Sequence, residues 1–213
     1  MGKVMSLSSI SSILLDVLGE IVAPNACAAC DEPAPPRILF CEACAATVAS
    51  ADAAGAVFAY GGAIADAIVR LKFRGRPDLG ARLGNVMFER WSGSADIVVP
   101  VPLHPRRLAE RGYNQSALLA SPIAKRLGVP HAPRAVERVR DTPHQMDLAR
   151  AARARNVAGA FVCKIHSIVA ARRVLLVDDV TTTGATLEAC ASVLRRAGAS
   201  AVVTLALSRR ERD

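Results

Sequence analysis

Two adjacent carboxylates, Asp178 and Asp179, stand before Val180 and a run of small residues: Thr181, Thr182, Thr183, Gly184, Ala185 and Thr186. Backbone N–H groups and threonine hydroxyls at the start of a helix make a ready anion site. Two acids beside such a cradle repel a phosphate unless they address something else, such as sugar hydroxyls or a divalent cation. A pentose 5-phosphate presents both kinds of group side by side. A second constellation lies far upstream. Cys27 and Cys30, then Cys41 and Cys44, form two CxxC pairs, and each pair can offer two thiolates to one tetrahedral ion.

The elements that must position these groups are legible around them. Val174 to Asp178 contains four apolar residues in five, the pattern of a strand buried on both faces. Leu187, Cys190, Val193 and Leu194 recur at helical spacing, and Gly198 marks the stop. The unit is therefore strand, acidic turn, hydroxyl-rich loop, helix. A Walker B strand also ends in paired acids but needs a GxxxxGK[ST] loop, which the chain lacks. A receiver-type acidic pocket places its acids near the start of the fold, not at residue 178. A purely structural strand-to-helix turn with threonine caps remains open on these grounds. The string RVLLVDDVTTTGATL closely resembles the phosphoribosyl pyrophosphate (PRPP) motif of type I phosphoribosyltransferases.

Earlier segments supply further candidates. Val57 to Tyr60 reads as a short strand and Ile64 to Phe73 as a helix. A basic turn with Lys72, Arg74 and Arg76 follows, then a helix over Leu79 to Trp91. Ala95 to Val101 is a buried strand that opens into a proline-broken loop, PVPLHPRRLAERGYNQS. A helix runs from near Asn114 to Leu127. The loop holds Arg106, Arg107 and Arg111, guanidiniums suited to pyrophosphate oxygens, and occupies the place of the pyrophosphate loop in phosphoribosyltransferases. His104 reads as a packing or hydrogen-bonding residue rather than a base. Arg134 to Arg155 carries six arginines and a Pro143 break, which fits a mobile basic loop over a site or a solvated helix with no role. Phe161 and Val162 open another strand, Ala201 to Leu207 reads as the closing strand, and SRRERD as a charged tail. Cys163 and Cys190 read as buried, inert thiols.

The chain has 213 residues, with 52% hydrophobic and 22% charged content, the profile of a soluble globular domain with a small appendage. A formal net charge of +8 points to an anionic partner, a phosphorylated metabolite or nucleic acid. Aromatic content of 4% supplies a continuous base-stacking surface poorly. Leu7 to Ile21 is amphipathic, and Asp16 and Glu20 interrupt it, so neither a membrane span nor a signal segment is expected. The protein is expected in the cytoplasm, without membrane insertion. Disulfides are disfavoured there, and a thioredoxin-like motif needs only one CxxC.

Taken together, the four cysteines, LKFRG, VPVPLHPRRLAERGYNQS, the TPHQ…GAF run and DDVTTTGAT resemble the ComF family over nearly the whole chain. His144 departs from the proline common there. The expected fold is α/β, a mainly parallel sheet flanked by helices (residues 53–213), preceded by a helix and a small zinc-binding module (residues 1–52). The resemblance implies transfer of a phosphoribosyl group from PRPP to a nitrogen acceptor. On that resemblance Asp178 and Asp179 would be the catalytic, ribose-holding acids, and Val180 to Thr186 with them the ribose- and phosphate-binding loop. Arg106, Arg107, Arg111 and Lys72 would face the pyrophosphate. Zinc on Cys27, Cys30, Cys41 and Cys44 is expected to be structural, and magnesium is expected with PRPP. The alternative it implies is a non-catalytic PRPP sensor of DNA uptake, contacting single-stranded DNA or a competence helicase.

Overall fold

The computed structural model describes residues 26–35, 37–52, 54–141 and 159–210. The amphipathic stretch at Leu7 to Ile21, His144 and the second half of the six-arginine segment lie outside them. In chain order the elements begin with α1 (Glu42–Ala45), β1 (Ala56–Ala59), α2 (Gly62–Phe73), α3 (Asp78–Glu89) and β2 (Ile97–Pro100). They continue with α4 (Pro105–Arg111), α5 (Gln115–Leu127), β3 (Val136–Arg138), β4 (Phe161–Cys163) and α6 (His166–Val169). β5 (Arg173–Thr181), α7 (Ala185–Arg196) and β6 (Ala201–Arg209) complete the described fold.

Four strands form one parallel sheet in the order β1-β6-β5-β2. β5 is internal, which is why its apolar run is continuous: Val174 to Val177 are all fully buried. Alternate residues serve opposite layers. Leu175 and Val177 pack with Val98, Leu205 and Leu207 against α2, α3 and α5. Val174 and Leu176 pack with Ile97, Val99 and Ala206 against α7 and the β3–β4 pair. A parallel sheet covered on both faces results, as the sequence leads one to expect.

Two local expectations are corrected, and one strand finds its partner outside the main sheet. The Ala201 strand does not close the sheet; it lies between β1 and β5 and continues to Arg209, so Ser208 is fully buried rather than part of a tail. Phe161 to Cys163 form the expected strand, which pairs antiparallel with Val136 to Arg138 outside the main sheet. The proline-broken loop after β2 contains a helix, α4. Pro105 opens it, where a missing N–H costs nothing, and Gly112 at φ 83° closes it.

Two helices approach unusually closely. A Cβ placed at Gly84 of α3 would lie 2.3 Å from the Leu119 carbonyl oxygen and 2.6 Å from Pro122 Cγ of α5. Only glycine lets these backbones meet, and α5 is thereby pressed toward the sheet with its N-terminus at the strand ends. The four-cysteine segment is not separate from this core: Cys27, Ala28, Ala29 and Phe40 share a buried cluster with Ile64, Ile68 and Leu71. Among the described residues no helix is long and apolar enough to cross a membrane.

Candidate phosphate and sugar site

At the carboxyl ends of the strands, where open α/β sheets bind ligands, lies a cleft of about 730 Å³. β5 delivers Asp178 and Asp179 to its floor, 7% and 3% exposed. Asp178 Oδ1 accepts hydrogen bonds from Ser116 Oγ and from the Asp179 N–H, both at 2.9 Å. Asp179 Oδ1 accepts from the Val180 N–H at 2.6 Å, and its Oδ2 lies 2.7 Å from Lys72 Nζ. Burial, then the neighbouring Asp179 charge, pushes the Asp178 carboxyl up to about 7, against the opposing pull of Lys72 and the Asp179 and Ser116 hydrogen bonds. Near neutral pH the Asp178 carboxyl is thus partly protonated, which eases the approach of an anion.

The hydroxyl run divides around this floor. Thr181 belongs to β5 and is buried. Thr182 and Thr186 line the cleft, while Thr183, Gly184 and Ala185 line a smaller depression of about 430 Å³ on the other side. Gly184 has φ 78° and precedes the first turn of α7, so the chain turns sharply and leaves the first N–H groups of a twelve-residue helix at the site.

The segment after β2, with α4, brings Arg106, Arg107 and Arg111 to the same cleft. His104 caps α4, its Nδ1 accepting the Arg106 N–H at 3.3 Å, so its expected hydrogen-bonding role holds. Asn114 caps α5 by accepting the Ser116 N–H and donates to the Val101 carbonyl at 3.0 Å, which fixes α5 to the end of β2. Arg106 pairs with Asp141 at 3.0 Å, and Arg107 lies 4.0 Å from it. Arg111 donates to Gln115 Oε1 and stacks on the Phe73 ring. Lys72 lies at Asp179, on the acid side of the cleft. Of the seventeen expected positions, nine line the cleft, four are the clustered cysteines, and Thr181, Thr183, Gly184 and Ala185 line the smaller depression instead.

Sequence reasoning missed three contributors. Ser116 was hidden because it is simply the second residue of a helix, yet its hydroxyl holds Asp178. Arg138 was counted within a loosely basic stretch; it is buried on β3, over the Phe161 ring, and reaches the cleft. Arg210, read as tail, lines the cleft beside Tyr60. Strand length was the missing signal for Arg210.

The four cysteine sulfurs lie within 4.8 Å of one another, with Cys30 and Cys41 3.7 Å apart. A zinc ion with Zn–S bonds of about 2.3 Å needs tetrahedral edges of about 3.8 Å, so the donor set fits. Burial pushes the Cys27 thiol up, but backbone N–H groups of Cys41, Ala29 and Cys30 outweigh it and lower it to about 6. Burial and the neighbouring thiols push Cys44 up. As thiolates, the four could together hold one such cation. Cys190 is buried, as expected, whereas Cys163 is only half-buried.

Residues 114–213 match the phosphoribosyl transferase domain. DNA utilization protein YhgH of Escherichia coli K12 is 37% identical over 150 residues, 67% of this chain and 65% of that protein. Competence protein F of Haemophilus influenzae is 36% identical over 115 residues, 54% and 50% of the two chains. The chain is a homologue of these competence and DNA-utilization proteins. The ComF resemblance and the phosphoribosyltransferase-type fold with its four-cysteine cluster are thereby borne out. The matched stretch spans less than two thirds of the relatives' length. Among solved structures, the Bacillus subtilis glutamine PRPP amidotransferase is similar at 23% identity and TM-score 0.44, covering 63% of this chain and 29% of that one. A Staphylococcus aureus hypoxanthine phosphoribosyltransferase is similar at 14% identity and TM-score 0.32, covering 66% and 68%.

Proposed function

We propose that this ComF-type chain binds PRPP in the cleft and acts in the uptake or utilization of DNA, in the cytoplasm. The observation that carries it is one cleft lined by both chemistries: paired buried acids with Thr182 and Thr186, and Arg106, Arg107 and Arg111. Asp178 and Asp179 hold the ribose hydroxyls. Thr182 and Thr186 hydroxyls and the α7 N-terminal N–H groups hold the 5-phosphate. Arg106, Arg107 and Arg111 meet the pyrophosphate. The two carboxylates, together with the ligand's own phosphate oxygens, are the donor set that magnesium takes, and it supplies charge neutralisation for the diphosphate when bound. Zinc on the four cysteines is structural, since four protein ligands leave no open position.

The relatives' names speak of DNA utilization and competence, which supports a binding role with single-stranded DNA or a helicase partner. The second reading is transfer, and the phosphoribosyl transferase domain match supports it. A nitrogen nucleophile would form a bond to the anomeric carbon while the carbon–oxygen bond to pyrophosphate breaks. The electron pair leaves with pyrophosphate and the nucleophile sheds its proton. The residues would contribute positioning and charge stabilisation on both sides of that carbon. Calorimetric titration with PRPP and magnesium tests binding, and absence of heat at millimolar ligand rejects it. Pyrophosphate release with a panel of nucleobases and amines decides for transfer. Salt-dependent affinity for single-stranded DNA without release decides for the binding role.

A further inference from the structure

The last turn of α2 is held on two opposite sides. Lys72 reaches the cleft and Asp179 at 2.7 Å. Arg70, two residues earlier and thus about 200° around the helix, points away, toward the four-cysteine segment. Its Nη1 donates to the Ala29 carbonyl at 2.9 Å, and its guanidinium pairs with Asp31. Ala29 lies inside the first CxxC pair and Asp31 directly follows it. Asp31 sits in the left-handed region at φ 64°, a conformation few side chains adopt, and so brings its carboxylate between Arg70 and Arg76. The Leu71 carbonyl is held as well, accepting from Tyr113 Oη at 2.6 Å. Arg82 of α3 donates to the carbonyls of Ala26 and Ile38, clasping the same segment from the next helix.

A helix end without such anchors frays, because its last carbonyls have no partners within the helix. Here the anchors fall on consecutive residues, and the middle of that turn carries a cation placed against a buried acid. Surface pairing alone accounts poorly for Arg70, whose side chain is only 12% exposed. We propose that Arg70 is a positioning residue: clamped by Asp31 and the Ala29 carbonyl, it fixes the last turn of α2 and so holds the Lys72 ammonium at Asp179, making the cysteine segment a support of the ligand cleft. The consequence for affinity rests on the reading of the cleft as a phosphorylated-pentose site; the placement of Lys72 does not.

The experiment has two arms on the full chain. In the first, limited acetylation followed by peptide mass spectrometry reads the reactivity of Lys72 against Lys125 and Lys164 in the same molecule. Arg70→Ala raises the relative rate at Lys72 about threefold or more, with zinc content unchanged, and Asp31→Asn moves it in the same direction. Because Asp31 is half-exposed, that variant stands in if Arg70→Ala does not fold. An unchanged Lys72 rate, or loss of zinc in the variants, overturns the proposal. In the second arm, PRPP with magnesium is titrated into wild type, Arg70→Ala, Lys72→Met and the double variant. Arg70→Ala weakens binding about threefold or more, and the double variant binds no more weakly than Lys72→Met, since both losses act through one ammonium. Fully additive losses overturn the proposal. If wild type takes no PRPP, the phosphorylated-pentose reading fails by itself, and the labelling arm alone decides the positioning.

Discussion

Replacing Asp178 by Asn removes a buried carboxyl whose ionisation the fold opposes, and the consequence is a change in stability with pH. In the folded protein Asp178 titrates at about 7, against an ordinary 3.8. Between those values the folded state keeps a proton that the unfolded chain has lost. Stability from this group is therefore full below about pH 4 and is lost as pH rises through about 7. At about 1.36 kcal/mol per pH interval of differential protonation, the loss between pH 5 and 8 is about 2–3 kcal/mol. Asn fits the site because Oδ1, which accepts from Ser116 Oγ and the Asp179 N–H, is retained. Urea unfolding of both proteins at pH 5 and pH 8 measures it. Wild type loses about 2–3 kcal/mol more than Asp178→Asn over that interval, and titrating groups that do not interact with Asp178 cancel in the difference. Parallel pH profiles for the two proteins would show that Asp178 is not held protonated by the fold.

Elemental analysis of purified protein gives about one zinc per chain, and Cys41→Ser abolishes it; full folding with no metal, or a Cys27–Cys44 disulfide, contradicts this. Gly84→Ala drives a methyl into the Leu119 carbonyl and Pro122, where backbone must move, and costs about 2–4 kcal/mol in chemical denaturation; a loss below about 0.5 kcal/mol would show that α3 and α5 part freely. Thr182→Ala removes a hydroxyl from the cleft and weakens ribose 5-phosphate about tenfold by calorimetry, while leaving thermal stability nearly unchanged; equal affinity removes Thr182 from the phosphate loop.

Much of this site was legible because its parts are local. A strand, two acids, a threonine loop and a helix are consecutive in sequence, and the apolar run that makes β5 internal is printed in Val174 to Val177. The paired CxxC spacing likewise announces its own geometry, and the sulfurs do converge. What sequence did not give is whatever depends on which strands are neighbours. Ala201 to Leu207 looked terminal because it is last in the chain, but a parallel sheet orders strands by crossover, and β6 lies inside. Ser208 and Arg210 were lost to a presumed tail for the same reason. Phe161 to Cys163 has strand composition yet joins a two-stranded ribbon, a choice made by partners 25 residues upstream. Ser116 is the clearest case: nothing in NQS signals that its hydroxyl will meet a carboxylate 62 positions away.

Asp178 and Asp179 are proposed to hold the sugar of a phosphorylated pentose, rather than a metal alone or a structural turn. Calorimetric titration of the Asp178→Asn, Asp179→Asn double variant tests it most directly, with ribose 5-phosphate and with PRPP, each with and without magnesium. Both acids are nearly fully buried at the cleft floor, so each lost charged hydrogen bond to a ribose hydroxyl is felt. The account predicts weaker binding of both ligands, by about 1–3 kcal/mol, even for ribose 5-phosphate without metal. A folded double variant that binds ribose 5-phosphate as wild type does, and loses only magnesium-dependent PRPP affinity, would contradict it.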